Sequence, residues 1–367
     1  MRFTVSQTAL QKALSVVIKG TAASSTLPIL TGIKITAGEG TLEFQATDLD
    51  ISLKHRIPAN VEDGGTTVVS GKMIAGIVKS LPDAPVTFDS EGNSVRLSCQ
   101  RSKFNLNTLD PKDFPEFPAV EAERSVELPA GVLATMVDRV YRVVSRDLSK
   151  PILGGIYLTV DENLVRLVAT DSYRLAVCDT TLETSTLTEP FSMIVTGSAF
   201  HDALSIADAD APVLIGAAAS QAVFSFGDTV YVSRRIEGTF PDYRQLLPKS
   251  CSTSLELPVE EASEGLRRVS LVAAQNPRVR FDIDADGDLV TMSAMDSDVG
   301  DASEQVEVPV EGSSVAIGLN HRYVSDCLSA VSDREKVLLE LQGEMQPAVF
   351  KSFGTPNYLQ LIMPTRL

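Results

Sequence analysis

Pro151-Ile152-Leu153-Gly154-Gly155-Ile156-Tyr157-Leu158, followed by Val165-Arg166-Leu167-Val168-Ala169-Thr170-Asp171, decides how this chain is read. Its apolar residues alternate, as they do in half-buried antiparallel strands. The same layout stands earlier, in Leu27-Pro28-Ile29-Leu30-Thr31-Gly32-Ile33-Lys34-Ile35 with Leu42-Glu43-Phe44-Gln45-Ala46-Thr47-Asp48. A weaker copy is Arg278-Val279-Arg280-Phe281-Asp282-Ile283 with Val290-Thr291-Met292-Ser293-Ala294-Met295-Asp296. The closing aspartates, Asp48, Asp171 and Asp296, lie 123 and 125 positions apart, a spacing of domain size.

Helical patterns recur in step with these strands. Leu10, Ala13, Leu14 and Val17 open the first third, and Leu133, Met136, Val137 and Val140 the second. Ala262, Leu266, Val269 and Ala273 open the last. A second helix follows the central strands each time, at Ile74, Ile77, Val78; at Ala199, Phe200, Ala203; and at Val324, Cys327, Leu328. The i, i+3/i+4 spacing is that of a half-buried helix. Each third reads helix, strands, helix, strands, a doubled unit. Pro-rich joints at Phe114-Pro115-Glu116-Phe117-Pro118 and Leu247-Pro248-Lys249 separate them. The expectation is an α+β chain of three repeated domains, 1–120, 125–248 and 250–367.

Composition narrows the function. With 367 residues, 44% hydrophobic and 22% charged, the chain has the make-up of a soluble globular protein. The opening Met1–Gln7 has no apolar h-region, and no run approaches the roughly 18–20 residues of a membrane span. Cys99, Cys178, Cys251 and Cys327 form no CxxC pair, which argues against a zinc site or a disulfide framework. A cytoplasmic location is expected, with no membrane partner, cofactor or metal. Ser70-Gly71-Lys72-Met73 lacks the glycine and hydroxyl of a phosphate loop, and neither HExxH nor GxSxG occurs. Asp282-Ile283-Asp284-Ala285-Asp286-Gly287 begins like a calcium loop. Its twelfth position is Ser293, where a bidentate Glu is needed, so a hairpin turn at Asp286-Gly287 is the better reading. Nothing looks catalytic.

The net charge of −16 speaks against a phosphate-gripping protein unless the charges are segregated. Lys12 and Lys19 face one way, as do Lys72 and Lys79. Arg139, Arg142 and Arg146 fall on one helical stripe, and Arg267, Arg268 and Arg322 lie on polar sides of the last pair. Over the six helical segments the sum is +4, leaving −20 for the rest. Helices sharing one surface could therefore face phosphate while the sheets face away.

These repeats resemble the bacterial sliding clamp, the beta subunit of DNA polymerase III. The resemblance is carried by Thr26-Leu27-Pro28-Ile29-Leu30, Thr47-Asp48-Leu49-Asp50, Ala169-Thr170-Asp171-Ser172-Tyr173-Arg174-Leu175-Ala176-Val177, Phe240-Pro241-Asp242-Tyr243-Arg244 and Met363-Pro364-Thr365-Arg366-Leu367. It runs from Arg2-Phe3-Thr4-Val5 to the last residue. What it implies is a non-catalytic head-to-tail homodimer, a six-domain ring with helices inside and sheets outside, encircling duplex DNA as a processivity factor. The cations named above, with Lys150, would be DNA-facing and hold phosphates without base readout.

The resemblance also implies a hydrophobic pocket for short peptides from the polymerase alpha subunit, the clamp loader delta subunit and other partners. Matching positions are Leu153, Thr170, Ser172, Tyr173, Arg174, Leu175 and Val177, then Pro241 and Leu246. Asn320, Tyr323, Leu361, Met363, Pro364 and Arg366 complete them. Ser172-Tyr173 stand where the family often has Gly-His, Gln245 where it has a basic residue, and Thr365 where it has Met. Ring closure is expected between Arg101, Lys103, Phe104 and Leu106 on one edge and Leu271, Val272, Asp296, Asp298, Asp301 and Glu304 on the other. Two competing readings are a metal-dependent hydrolase using an Asp cluster such as Asp48 and Asp50, and an acidic peptide-binding scaffold that never touches DNA.

Overall fold

A computed structural model describes residues 1–184, 187, 189–273 and 276–366. Leu367 of the tail motif and Ala274, at the end of the fifth helical segment, lie outside the described residues. Among those described there are six α-helices: α1 (Gln7–Val17), α2 (Gly71–Ser80), α3 (Ala130–Tyr141), α4 (Gly197–Ser205), α5 (Val259–Val269) and α6 (His321–Ala330). Two fall in each third, as the periodicity predicts. The paired strands are antiparallel, in sheets of thirteen, nine and four strands.

The chain forms two compact units, Met1–Ala130 with Asp202–Arg235, and Gly131–His201 with Ile236–Leu367. In the first, Ser6 caps α1 by accepting from the Ala9 amide at 3.2 Å, and Leu10, Ala13, Leu14 and Val17 are buried. Each fully buried Leu or Val contributes about 1.5–3 kcal/mol, so this face alone fixes how the helix lies on its sheet. Phe3 and Phe88 stack beneath at 4.7 Å.

The repeated aspartates lock hairpin turns. Asp48 Oδ1 accepts from the amides of Asp50 (3.0 Å) and Ile51 (2.8 Å); Asp171 Oδ1 accepts from Tyr173 (2.9 Å) and Arg174 (3.0 Å). Asp296 Oδ1 accepts from Asp298 (2.9 Å) and Val299 (3.2 Å). The preceding threonines act in parallel: Thr47 donates to the Ile51 carbonyl and Thr170 to that of Arg174, both at 2.7 Å. Leu49 and Ser172 both sit at φ 81°, a left-handed conformation that glycine adopts without a Cβ penalty. The carboxylates are thus committed to backbone donors. The stretch 282–287 is a hairpin, with strands Arg278–Asp284 and Leu289–Asp296 either side of its turn.

The strand after each lock follows one rule. Ile51–Pro58 pairs with Thr229–Arg234, the last strand of the second third, within the first unit. Arg174–Thr181 pairs with Asn357–Ile362, the last strand of the last third, within the second. Gly300–Glu307 has no such partner among the described residues and forms the edge of the four-stranded sheet. Ser102–Leu109 pairs along its length with Ser94–Cys99, but on its other side meets Gly65–Ser70 only at Thr108 and Leu109.

One expectation is corrected. The third helical segment stops at Tyr141, short of Arg142 and Arg146. Val143 and Val144 donate back three residues, to Val140 and Tyr141, and Ser145 bonds to Leu153, turning the chain toward the 3-10 turn Pro151–Gly154. The apolar pattern runs on to Val144 because Val143 is buried and Val144 part-buried after the helix has ended.

Asp48→Ala should lower the stability of the first unit by about 1–2 kcal/mol through the loss of two charge-assisted hydrogen bonds to one carboxylate oxygen. Urea unfolding would show it. An unchanged midpoint would mean that another group holds the turn.

Candidate functional site

Arg174 is a structural node of the second unit. Its Nε meets Asp171 at 2.9 Å, Nη1 meets Asp326 of α6 at 2.5 Å, and Nη2 donates to the Arg142 carbonyl at 2.7 Å. The guanidinium lies 4.3 Å from the Tyr323 ring centroid. Burial opposes its charge, but the hydrogen bonds and charges of Asp326 and Asp171 more than offset this and raise its pKa. One buried cation therefore ties the turn before strand Arg174–Thr181 to α6 and to the end of α3.

The strand beyond it carries an apolar face. Leu175, Val177 and Leu361 pack with Val168, Val349, Phe240 and Tyr243 in one cluster, flanked by Ile152 and Leu247. Tyr173 (64% exposed), Leu246 and Met363 stand exposed. The Met363 amide donates to the Tyr173 carbonyl at 2.9 Å, and that of Thr365 to Gly318 at 2.8 Å, so the tail is pinned here. Arg278 Nη1 donates to the Arg366 carbonyl at 2.8 Å.

A cleft of about 900 Å³ in this unit gathers Arg142, Arg146 and Arg322 with Tyr141, His201 and Tyr323. Arg142, Arg146, Lys150, Arg267 and Arg322 are exposed. In the first unit Lys12, Lys72 and Lys79 are exposed, while Lys19 is engaged with Asp202 (3.7 Å) and Ser205. Exposed apolar residues mark the edge regions: Leu271 (70%), Met295 (81%) and Val299 in the second unit. Phe104 and Leu106 alternate with exposed Lys103 and Asn105 on Ser102–Leu109 in the first. Among the described residues no group of His, Cys, Asp and Glu is placed to hold a metal.

Family descriptions of the DNA polymerase III beta subunit match successively: the N-terminal domain over residues 1–118, the central domain over 127–242 and the C-terminal domain over 244–366. The chain belongs to that family. A beta sliding clamp of Staphylococcus aureus (strain Mu50 / ATCC 700699) is 31% identical over 100% of this chain and 99% of its own. The DNA polymerase sliding clamp of Bacillus subtilis superposes with a TM-score of 0.94 at 26% identity, over 100% of this chain and 99% of that one. A Pseudomonas aeruginosa clamp solved bound to griselimycin shares the fold (TM-score 0.94, 24% identity, all of both chains). The chain is accordingly a DNA sliding clamp, a non-catalytic subunit of the polymerase, built of three clamp domains.

For a sliding clamp, the positions named from sequence divide into three kinds. Leu175, Val177 and Leu361 form a buried floor; Tyr173, Leu246 and Met363 are open to a ligand; Pro241 and Arg366 are exposed and Pro364 is part-buried. Leu153 and Thr170 are buried, and Asn320 caps α6 by accepting from the Arg322 amide at 3.0 Å.

Two cations are corrected. Arg139 is only 3% exposed; its Nη1 donates to the Pro356 carbonyl at 2.9 Å and its Nη2 meets Asp333 at 3.1 Å. It clips α3 to the C-terminal third and faces no phosphate. Arg268 lies against Glu304 at 2.7 Å and Glu264 at 3.4 Å, which removes Glu304 as a free interface acid as well. Asp296 is likewise occupied by its turn. Over the observed bounds the helices hold seven Lys and Arg against six Asp and Glu, a net of +1 in place of +4. The difference lies in Lys19, Arg142 and Arg146, which follow the helices. Met295 and Val299, exposed apolar residues on either side of Asp296, were not singled out from the sequence.

Arg139→Gln should cost the second unit about 2–3 kcal/mol, the value of hydrogen bonds to a charged group, whereas Arg142→Gln and Arg146→Gln stay within about 0.5 kcal/mol. Denaturant unfolding separates them. Equal effects would remove the clip.

Proposed function

We propose that two copies of this chain close head to tail around duplex DNA, each with domains bounded near 1–120, 125–248 and 250–367. The observation that carries this reading is the unfilled edge of Gly300–Glu307. In the first two thirds, the strand after the locked turn is completed by the last strand of the following domain. In the last third, Gly300–Glu307 meets no such strand among the described residues. The first third's last strand, Ser102–Leu109, is free over Ser102–Asn107. Joining these edges between copies repeats the internal rule and leaves neither edge exposed. Arg101 and Lys103 would oppose Asp298 and Asp301, while Phe104 and Leu106 meet Leu271, Val272, Met295 and Val299. Opposite charges on the two edges give the pairing its direction.

In this reading Lys12, Lys72, Lys79, Arg142, Arg146, Lys150, Arg267 and Arg322 line the hole. None has an ion pair among the described residues, and all are free for diffuse phosphate attraction. Peptides of the polymerase alpha subunit, the clamp loader delta subunit and other partners would rest on the floor of Leu175, Val177 and Leu361, gripped by Tyr173, Leu246 and Met363. We place the protein in the cytoplasm; the reduced, buried Cys99, Cys178 and Cys327 support this.

Phe104→Asp combined with Leu271→Asp should convert dimers to monomers in sedimentation, with the fold retained. A dimer that persists would refute the edge pairing. With a loader and ATP, the protein should stay on nicked circular DNA and run off linear DNA, in salt that weakens phosphate contacts. Equal loss from both would remove enclosure as the mode of holding.

A further inference from the structure

We infer that a cavity of about 500 Å³ at the Asp179 end of the strand pair Arg174–Thr181 and Asn357–Ile362 is a second peptide site, which adjoins the groove at Val177. Its ligand is an apolar side chain adjacent to a carboxylate. The size is that of an ordinary ligand pocket. Val177, Leu247 and Leu359 supply apolar wall, and Phe353, 69% exposed, stands at its margin.

Two polar groups in the lining are uncommitted. Tyr243 is 3% exposed, yet its hydroxyl has no hydrogen-bond partner among the described residues. A buried hydroxyl left this way costs stability unless something else accepts its proton. Arg166, aligned on Asp179 through Nε and Nη2 at 3.1 and 2.9 Å, also lies close enough to act on this hydroxyl, but a guanidinium can only donate, so the hydroxyl's own proton keeps no acceptor. Arg244 stacks 5.3 Å from the Tyr243 ring centroid and is exposed, with no acidic partner among the described residues. Lys351 is matched by Glu340 at 2.6 Å, and Arg166 by Asp179. The unmatched charge of the lining is therefore one guanidinium, next to one hydroxyl donor, beside an apolar hollow. A carboxylate satisfies both donors and a neighbouring side chain fills the hollow. The 3-10 turn Tyr243–Leu246 carries Tyr243 and Arg244 to this cavity and Leu246 to the groove.

The test uses the whole protein and a matched pair of probes, N-acetyl-phenylalanyl-aspartyl amide and its asparaginyl counterpart, titrated by calorimetry. The acid should bind about tenfold more tightly. Arg244→Gln should erase that preference, Tyr243→Phe should reduce it, and Phe353→Ser should weaken both peptides. Met363→Asp, in the groove, should change neither affinity. Equal binding of the two peptides, a preference that survives both Arg244→Gln and Tyr243→Phe, or loss on Met363→Asp would overturn the site. The last result would put the dipeptide in the groove and leave the groove reading standing.

Discussion

An unpaired strand edge is the constraint on which this structure depends. A row of backbone donors and acceptors at an edge must find water, a covering element or another strand, and an apolar edge is poorly served by water. Here the repeat answers the problem twice inside the chain. The strand after Asp48 and the strand after Asp171 are each completed by a neighbouring domain. As a result the central third is shared: its Arg124–Pro129 and Pro212–Arg234 strands join the first sheet, and its Gly155–Thr181 strands join the second. The two compact units therefore cut through the middle domain, although the sequence repeat marks three.

Arg174 shows how one residue serves several surfaces of the second unit. Its backbone is held by the Asp171 turn, its side chain by Asp326, and its third donor fixes the carbonyl of Arg142. A buried guanidinium is costly unless its donors are met, and here three are. Removing either acid would leave the charge partly unpaired beside the Tyr323 ring. The cleft with Arg142, Arg146 and Arg322 and the strand bearing Leu175 and Val177 are thus braced by the same group.

Much of the fold was legible because three copies of one pattern reinforce each other. No single aspartate would have marked a repeat, but three at domain spacing, two of them in Thr-Asp pairs and each ending an alternating strand, did. The site was legible only in part, and for identifiable reasons. Periodicity cannot tell a helical arginine from a loop arginine when Val143 keeps the apolar rhythm beyond the helix end. Nor can it show that Arg139 turns inward, since its partners Asp333 and Pro356 lie about two hundred positions away. Sequence spacing places Arg268 on a polar face; only the packing of α5 against strand Gly300–Glu307 reveals Glu304 beside it. Long-range pairing was the information missing in each case.

Those corrections also alter the electrostatic argument. A lining that held phosphates through committed, well-ordered pairs would resist translocation, because every step along the duplex would break fixed contacts. The basic side chains that pairing leaves over are Lys12, Lys72 and Lys79 in one unit and Arg142, Arg146, Lys150, Arg267 and Arg322 in the other. They are long, exposed and without internal partners among the described residues. Each contributes a weak, salt-screened attraction with no geometric demand. Arg139, buried and paired with Asp333, holds the fold instead. The chain as a whole is acidic by 16 charges, so free DNA is repelled from most of its surface. In the proposed ring, weak attraction at a few exposed cations, set against general repulsion elsewhere, would leave retention to enclosure by the copy that completes Gly300–Glu307.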